Sequence, residues 1–177
     1  MGMPGFAEYA LDAPPLGPLP VEVDPLMTAD VEPCARLAAD REGDDAGRWR
    51  EVFARATSDP GQLVLVARHR GRVAGYGKAT LLNMEGARNA PPGWYLTGVV
   101  VDPPFRRRGV GERLTRTRLD ELRRRGVPDV RYFANARNLA SLRLHERLGF
   151  REVTRDFSVP GVTFTGGVGV LCRWTAA

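Results

Sequence analysis

The order of elements along this sequence predicts a mixed α/β fold, with about seven strands in one sheet and about four flanking helices. Three observations lead there. Runs rich in Val, Leu and Tyr recur with strand lengths, four segments carry apolar residues at helical spacing, and Gly or Pro stands at the joints between them.

Residues 1–20 hold Pro4, Pro14, Pro15, Pro18 and Pro20, a spacing that excludes both helix and central strand, so they are expected to form an arm before one domain over 21–177. Phe6, Tyr9, Leu11, Leu16 and Leu19 leave two fates for that arm, docked on the domain or a second subunit, or free as a tail. Val21 to Val23 read as a short strand. Thr28 or Asp30 then offers a cap for a helix to about Glu42, which tolerates Pro33 near its start. A second helix from Asp45 to Ser58 carries Trp49, Val52, Phe53 and Ala56 on one face, and Asp59-Pro60-Gly61 stops it.

Gln62 to Ala67 and Val73 to Leu82 read as a hairpin turned at His69-Arg70-Gly71-Arg72, with Gly75 and Gly77 marking a bulge or close packing. A polar loop over Asn83 to Gly93 precedes the strand Trp94 to Val101. The next helix runs to about Arg125 and ends at Gly126 and Pro128. Val130 to Phe133 give a strand, Asn138 to Leu148 a helix closed by Gly149, and Phe150 to Val159 with Val168 to Trp174 a terminal hairpin.

The net charge of +5 is local. Residues 106–125 contain nine Arg against Glu112, Asp120 and Glu121, a balance of +6 that leaves the remainder at −1. Such a distribution argues for one basic turn and helix and against a nucleic-acid surface spread over the fold. Composition is that of a globular chain, 43% hydrophobic and 27% charged, with no apolar run of membrane-spanning length and no secretory signal pattern. Gly2 lacks the Ser or Thr that myristoylation needs at the position of Phe6. A cytoplasmic protein without membrane or nucleic-acid partners is expected, as monomer or homodimer. Cys34 and Cys172 build no disulfide framework, and with His69 and His145 alone no metal site is expected.

The chemistry concentrates between Val99 and Gly111. Val99, Val100 and Val101 end a strand, Pro103 and Pro104 close its ladder, and Arg106, Arg107 and Arg108 lead into Gly109, Val110 and Gly111 at a helix start. Two glycines there admit a ligand to backbone N–H groups at the positive end of the helix, the arrangement that holds a pyrophosphate. Neither the three-glycine dinucleotide fingerprint nor the Gly-Lys-Ser/Thr loop is present.

With a second motif the reading sharpens. Arg106-Arg107-Arg108-Gly109-Val110-Gly111 is followed in order by Asn138, Ser141, Leu144, Gly149 and Phe150. Together they resemble the GNAT family of N-acetyltransferases, strongly over Trp94 to Val153. The resemblance implies a mostly antiparallel sheet with a central splay, acetyl-CoA as cosubstrate, and direct transfer of acetyl to a primary amine, expected on a small molecule. It also implies that Val99 to Val101 pair with the pantetheine, that one N–H there polarises the acetyl carbonyl, and that Asn138 and Ser141 border the cofactor. A bulge near Gly98 fits that arrangement.

The chain departs from the family pattern at His145, where a tyrosine acid is usual. His145 shares a helix face with Asn138 and has two readings, proton donor to the leaving thiolate or packed histidine without a proton role. No carboxylate lies in Trp94 to Val101. Glu85 is therefore the candidate general base, with Asp102 next and backbone-held water as the third route. Asp40, Glu42, Asp44 and Asp45 form either an acidic rim for a cationic acceptor or a solvated helix connection. Trp49, Phe53, Trp94 and Tyr95 line a pocket or sit in the core. Arg118 lies on the face of Gly111, Leu114 and Leu122, so its charge is expected to snorkel outward or meet an acid. Departure from the family pattern also leaves a second function class, an inactive acetyl-CoA-binding regulatory domain.

Overall fold

Seven strands and four α-helices follow one another in residues 16–176, the part of the chain described by the computed structural model. They are β1 (Glu22–Pro25), α1 (Val31–Glu42), α2 (Ala46–Ala56), β2 (Gln62–His69), β3 (Arg72–Leu82), β4 (Gly93–Val101), α3 (Val110–Arg124), β5 (Asp129–Asn135), α4 (Leu139–Arg147), β6 (Arg151–Thr154) and β7 (Gly169–Thr175). Short 3-10 turns occupy Thr28–Asp30 and Pro103–Phe105. The sheet order is β1-β2-β3-β4-β5-β7-β6. β4 pairs parallel with β5 at Trp94↔Val130 and Tyr95↔Arg131, whereas β1–β2, β2–β3, β5–β7 and β6–β7 are antiparallel. The mixed, mostly antiparallel sheet expected from sequence is thus the one observed. Residues 1–15 of the proposed arm lie outside the described residues.

The described chain divides into two compact units, one of residues 16–80 with 97–122 and the other of residues 81–96 with 123–176. In the first, Cys34, Ala35 and Ala38 of α1 and Phe53 and Ala56 of α2 pack on Val64, Val66, Tyr76 and Val100. Phe53 meets Tyr76 edge to face at 4.9 Å, so the helical spacing read from Trp49 to Ala56 places core residues. α2 begins where expected, since the Asp45 side chain accepts from the Arg48 N–H. α1 also begins where expected, with Asp30 in its N-cap position, but the buried Asp30 carboxylate makes no capping bond to the helix: it takes the Met27 N–H at 2.8 Å, across the 3-10 turn Thr28–Asp30, and pairs with Arg68. The β2–β3 hairpin turns through Arg70 and Gly71, both at positive φ, as a two-residue connection requires.

The second unit buries Tyr95, Leu171, Ala90 and Phe157, with Met84, Ala87, Phe133 and Phe164 packed around them. The loop over residues 83–93, read as polar, therefore contributes apolar side chains to a core. Phe150 to Val159 is likewise shorter as a strand than expected. β6 stops at Thr154, and Phe157 turns into an aromatic cluster with Phe133 and Phe164, centroids 6.1 and 5.7 Å away. Burying those rings outweighs extending an edge strand.

Candidate active site

In the first unit β4 leads through the 3-10 turn Pro103–Phe105 into the phosphate turn and α3. Arg107 and Gly109 both take positive φ, 58° and 78°. Gly109 is thus required by its backbone, and a Cβ there would meet nothing within 4 Å. Gly111 differs. Its φ is ordinary, and an added Cβ would lie 3.8 Å from Val101 Cγ2 and 4.0 Å from Val99 Cγ2, normal contacts. Neither conformation nor protein packing asks for glycine at 111. Glycine there leaves the start of α3 without a side chain, as a turn built for a pyrophosphate would.

The arginines of the turn are partly committed to the protein. Arg106 Nε donates to Val101 O at 3.0 Å, tying the turn to the end of β4, and Arg108 Nε donates to Gly17 O at 3.2 Å. Leu16 N–H and Leu19 N–H in turn donate to Arg107 O and Arg108 O, each at 3.0 Å. The described end of the Pro-rich arm therefore docks on the main chain of the phosphate turn. Sequence reading left docked and free arms open; alternating Pro and Leu with no periodicity carries no address.

The β4 kink lies at Gly98, φ 144°, where a bulge was expected. On either side of it Thr80 Oγ1 meets Thr97 Oγ1 at 2.9 Å and Asp102 N–H donates to Ala74 O at 2.9 Å. Gly75 and Gly77 serve close packing. A Cβ on Gly75 would lie 2.5 Å from Val100 O, and one on Gly77 2.8 Å from Arg118 Nε. Arg118, 1% exposed, neither snorkels nor meets an acid. Its guanidinium donates to the carbonyls of Lys78 (2.6 Å), Gly98 (3.0 Å) and Leu114 (3.3 Å) and to Thr115 Oγ1 (2.9 Å). Desolvation lowers its pKa to about 9, which still leaves it charged at neutral pH.

On the acceptor-side candidates, Lys78 Nζ sits 5.4 Å from the Trp49 ring centroid, and burial lowers its pKa. Nothing in the residue pattern around the chain's single lysine signals that it would be drawn inward. Asp44 and Asp45 are spent on α2: Asp44 accepts the Asp45 N–H and pairs with Arg48, and Asp45 caps the helix. That is the solvated-connection reading of the acidic segment. Asp102 holds Arg72 at 3.0 Å and closes the end of β4.

In the second unit Asn138 Oδ1 accepts the Ser141 N–H at 3.1 Å, an N-cap for α4. His145, 5% exposed, shares hydrogen between Nδ1 and Ser141 O at 2.8 Å and stacks on Tyr132. Asn138, Ser141 and His145 thus form one contiguous face of α4. Glu85 lies exposed in the turn after β3, its N–H donating to Asn83 Oδ1 at 3.3 Å. Tyr95 is wholly buried with its hydroxyl on Pro91 O at 2.6 Å, so it belongs to the core and lines no pocket. Among the described residues no group of His, Cys, Asp and Glu offers a metal site, and no helix is long and apolar enough to cross a membrane.

The model of the acetyltransferase (GNAT) family matches residues 27–150. The N-alpha-acetyltransferase RimI of Mycobacterium tuberculosis is 34% identical over 136 residues, 76% of this chain and 80% of that protein. A ribosomal protein bS18-alanine N-acetyltransferase of Salmonella typhimurium is 44% identical over 59 residues, 33% of this chain, and the matched stretch spans only 40% of that relative's length. Among solved structures, a ribosomal-protein-alanine N-acetyltransferase from Brucella melitensis shares the fold with TM-score 0.67 and 22% identity, over 88% of this chain and 99% of that one. The Salmonella typhimurium acetyltransferase yncA, solved with acetyl-CoA, gives TM-score 0.64 at 23% identity over 89% and 97%. Matched by the family model over residues 27–150 and by RimI at 34% identity over most of both chains, the chain belongs to the acetyltransferase (GNAT) family.

Proposed function

We propose that this protein transfers the acetyl group of acetyl-CoA to a primary amine by direct attack, residues 21–177 acting as one acetyltransferase domain. Gly111 carries the reading, because it is a glycine that the protein itself does not need and a pyrophosphate does. The arginines of the turn add positive charge, and the start of α3 supplies N–H donors and the helix dipole. Val99 to Val101 offer main-chain groups to the pantetheine. An N–H beside the Gly98 kink takes the charge that builds on the acetyl oxygen. Asn138 and Ser141 are assigned to the cofactor on the strength of the second motif.

The amine attacks as a free base. β4 places no carboxylate beside the reaction, and Glu85 is an exposed loop acid, so proton removal is assigned to water held by main-chain carbonyls, with Glu85 as the side-chain candidate. Such a site suits an acceptor that loses its proton easily. An α-amine titrates at about 7.7–8.0, against about 10.4 for a lysine side chain. His145 is assigned the return of a proton to the leaving thiolate, its ring oriented by the Nδ1–H bond to Ser141 O.

Two acceptors satisfy this chemistry, a small-molecule amine and the N-terminal amine of a protein. The similarity to RimI over most of both chains favours the second. Thiol release from acetyl-CoA, measured against short peptides with free N-termini, polyamines and amino sugars, is expected to be fastest with a peptide. Preference for a small amine would move the acceptor to that class. Tight acetyl-CoA binding without turnover on any amine would make the protein a regulatory acetyl-CoA sensor instead.

A further inference from the structure

We infer that Arg118 is a positioning residue for the cofactor, holding the kinked main chain of β4 and the Gly111 end of the phosphate turn in one fixed geometry. The inference rests on the acetyl-CoA reading above.

A charge on a buried helix face is costly where an aliphatic side chain would fill the same space, so this guanidinium needs a reason. Its described partners are neutral oxygens, two of them main-chain carbonyls of β3 and β4. Nη1 donates both to Lys78 O on β3 and to Gly98 O at the kink. A single guanidinium nitrogen thus serves obligatory main-chain acceptors of both strands. The opposite edge of the same group faces the cofactor turn. Nη2 donates to Thr115 Oγ1, and the Thr115 hydroxyl donates to Gly111 O at 2.8 Å.

One unbroken chain of hydrogen bonds therefore runs from Gly98 through Arg118 and Thr115 to Gly111. Both protein groups along it are sealed from solvent, Arg118 at 1% and Thr115 at 0% exposure. β3 makes room for it, since any side chain at 77 would drive its Cβ into Arg118 Nε and Cζ, at 2.8 and 3.0 Å. A lysine at 118 has one nitrogen and cannot span carbonyls on both strands while reaching Thr115. The network thus links the strand that receives the acetyl carbonyl to the turn that receives the pyrophosphate.

Arg118→Lys, Gly77→Ala and Thr115→Val test this, each followed by acetyl-CoA Kd from calorimetry, by kcat and KM on an amine the wild type acetylates, and by thermal midpoint. Arg118→Lys and Gly77→Ala are expected to melt cooperatively and to lose kcat/KM by about 10²-fold, the effect of displacing a reacting centre by an ångström. Thr115→Val leaves the bonds at Gly98 and cuts the link to Gly111, so it is expected to raise the acetyl-CoA Kd more than it lowers kcat. A folded Arg118→Lys or Gly77→Ala with wild-type Kd and kcat would overturn the inference. Should Arg118→Lys not fold, the other two variants decide it by the same readings. A wild type that binds acetyl-CoA but acetylates no amine removes the catalytic reading alone, because the Kd comparison still judges Arg118. A wild type that does not bind acetyl-CoA overturns both.

Discussion

Tyr132 of β5 and His145 of α4 stack face to face, ring centroids 3.8 Å apart and planes 16° from parallel, with Phe150 standing edge-on to both. Stacking explains how a histidine can be buried here, and it also supplies a clean substitution. His145→Phe keeps a ring against Tyr132 and removes both nitrogens. If the imidazole returns the thiolate proton, kcat should fall by about 10²-fold or more with acetyl-CoA affinity little changed, and the basic limb of the pH–rate profile should vanish. An unaltered profile would leave His145 a packing residue. Loss of the Nδ1 bond to Ser141 O should cost about 1 kcal/mol of stability in either case.

The two glycines of the phosphate turn should respond in opposite ways. Gly109 has φ 78°, so Gly109→Ala is expected to cost about 1–2 kcal/mol, read as a lower denaturation midpoint. Gly111→Ala meets no clash and gains helix propensity, up to about 1 kcal/mol over Gly. Its midpoint should hold or rise while the acetyl-CoA Kd increases at least tenfold. A Gly111→Ala protein that binds acetyl-CoA normally would remove the single observation on which the cofactor reading stands.

This contrast marks how far the sequence carries. Gly109, Asn138 and the β-branched end of β4 were legible because their roles are local: a turn, a cap and a ladder end are each set within a few residues. The strand and helix order was legible for the same reason, through periodicity and punctuation. Arg118 was not, because its partners Lys78 O and Gly98 O lie on strands remote in sequence, and a carbonyl leaves no trace in residue type. Phe157 was read into a strand because its burial depends on Phe133 and Phe164. Glu85 and the arm were ambiguous for want of any pattern.

Docking of the arm on the phosphate turn can be tested one hydrogen at a time. Leu16→Pro deletes the N–H that donates to Arg107 O. Leu16 is 53% exposed, so little packing is lost. The stability cost should stay at about 0.5–1.5 kcal/mol. KM for acetyl-CoA should rise several-fold with kcat unchanged, because Arg107 sits at φ 58° and its main chain loses a partner that fixes it. An unchanged KM would confine the arm to a passive covering role.

Cys34 supplies a pH dependence with a definite sign. It is fully buried in the first unit's core, and desolvation, with the Asp30 carboxylate adding to it, pushes its thiol up to about 12. Unfolded, a cysteine titrates near about 8.5. The folded state therefore keeps a proton that the unfolded state has given up anywhere between these values. Stability from this group is fully present below pH of about 8.5 and declines as pH rises toward 12, by up to about 1.4 kcal/mol per pH unit. Chemical denaturation at pH 8, 9 and 10 should show that decline, and Cys34→Ala, though less stable at pH 8, should flatten it. Burial also raises Cys172, which adds to the decline over the same range, and lowers Arg118 to about 9, which opposes it above that pH, whereas Tyr76 and Tyr132, also raised, enter only above the ordinary phenol value near 10. A Cys34→Ala protein that loses stability as steeply as the wild type between pH 8 and 10 would show that this thiol is not the group responsible.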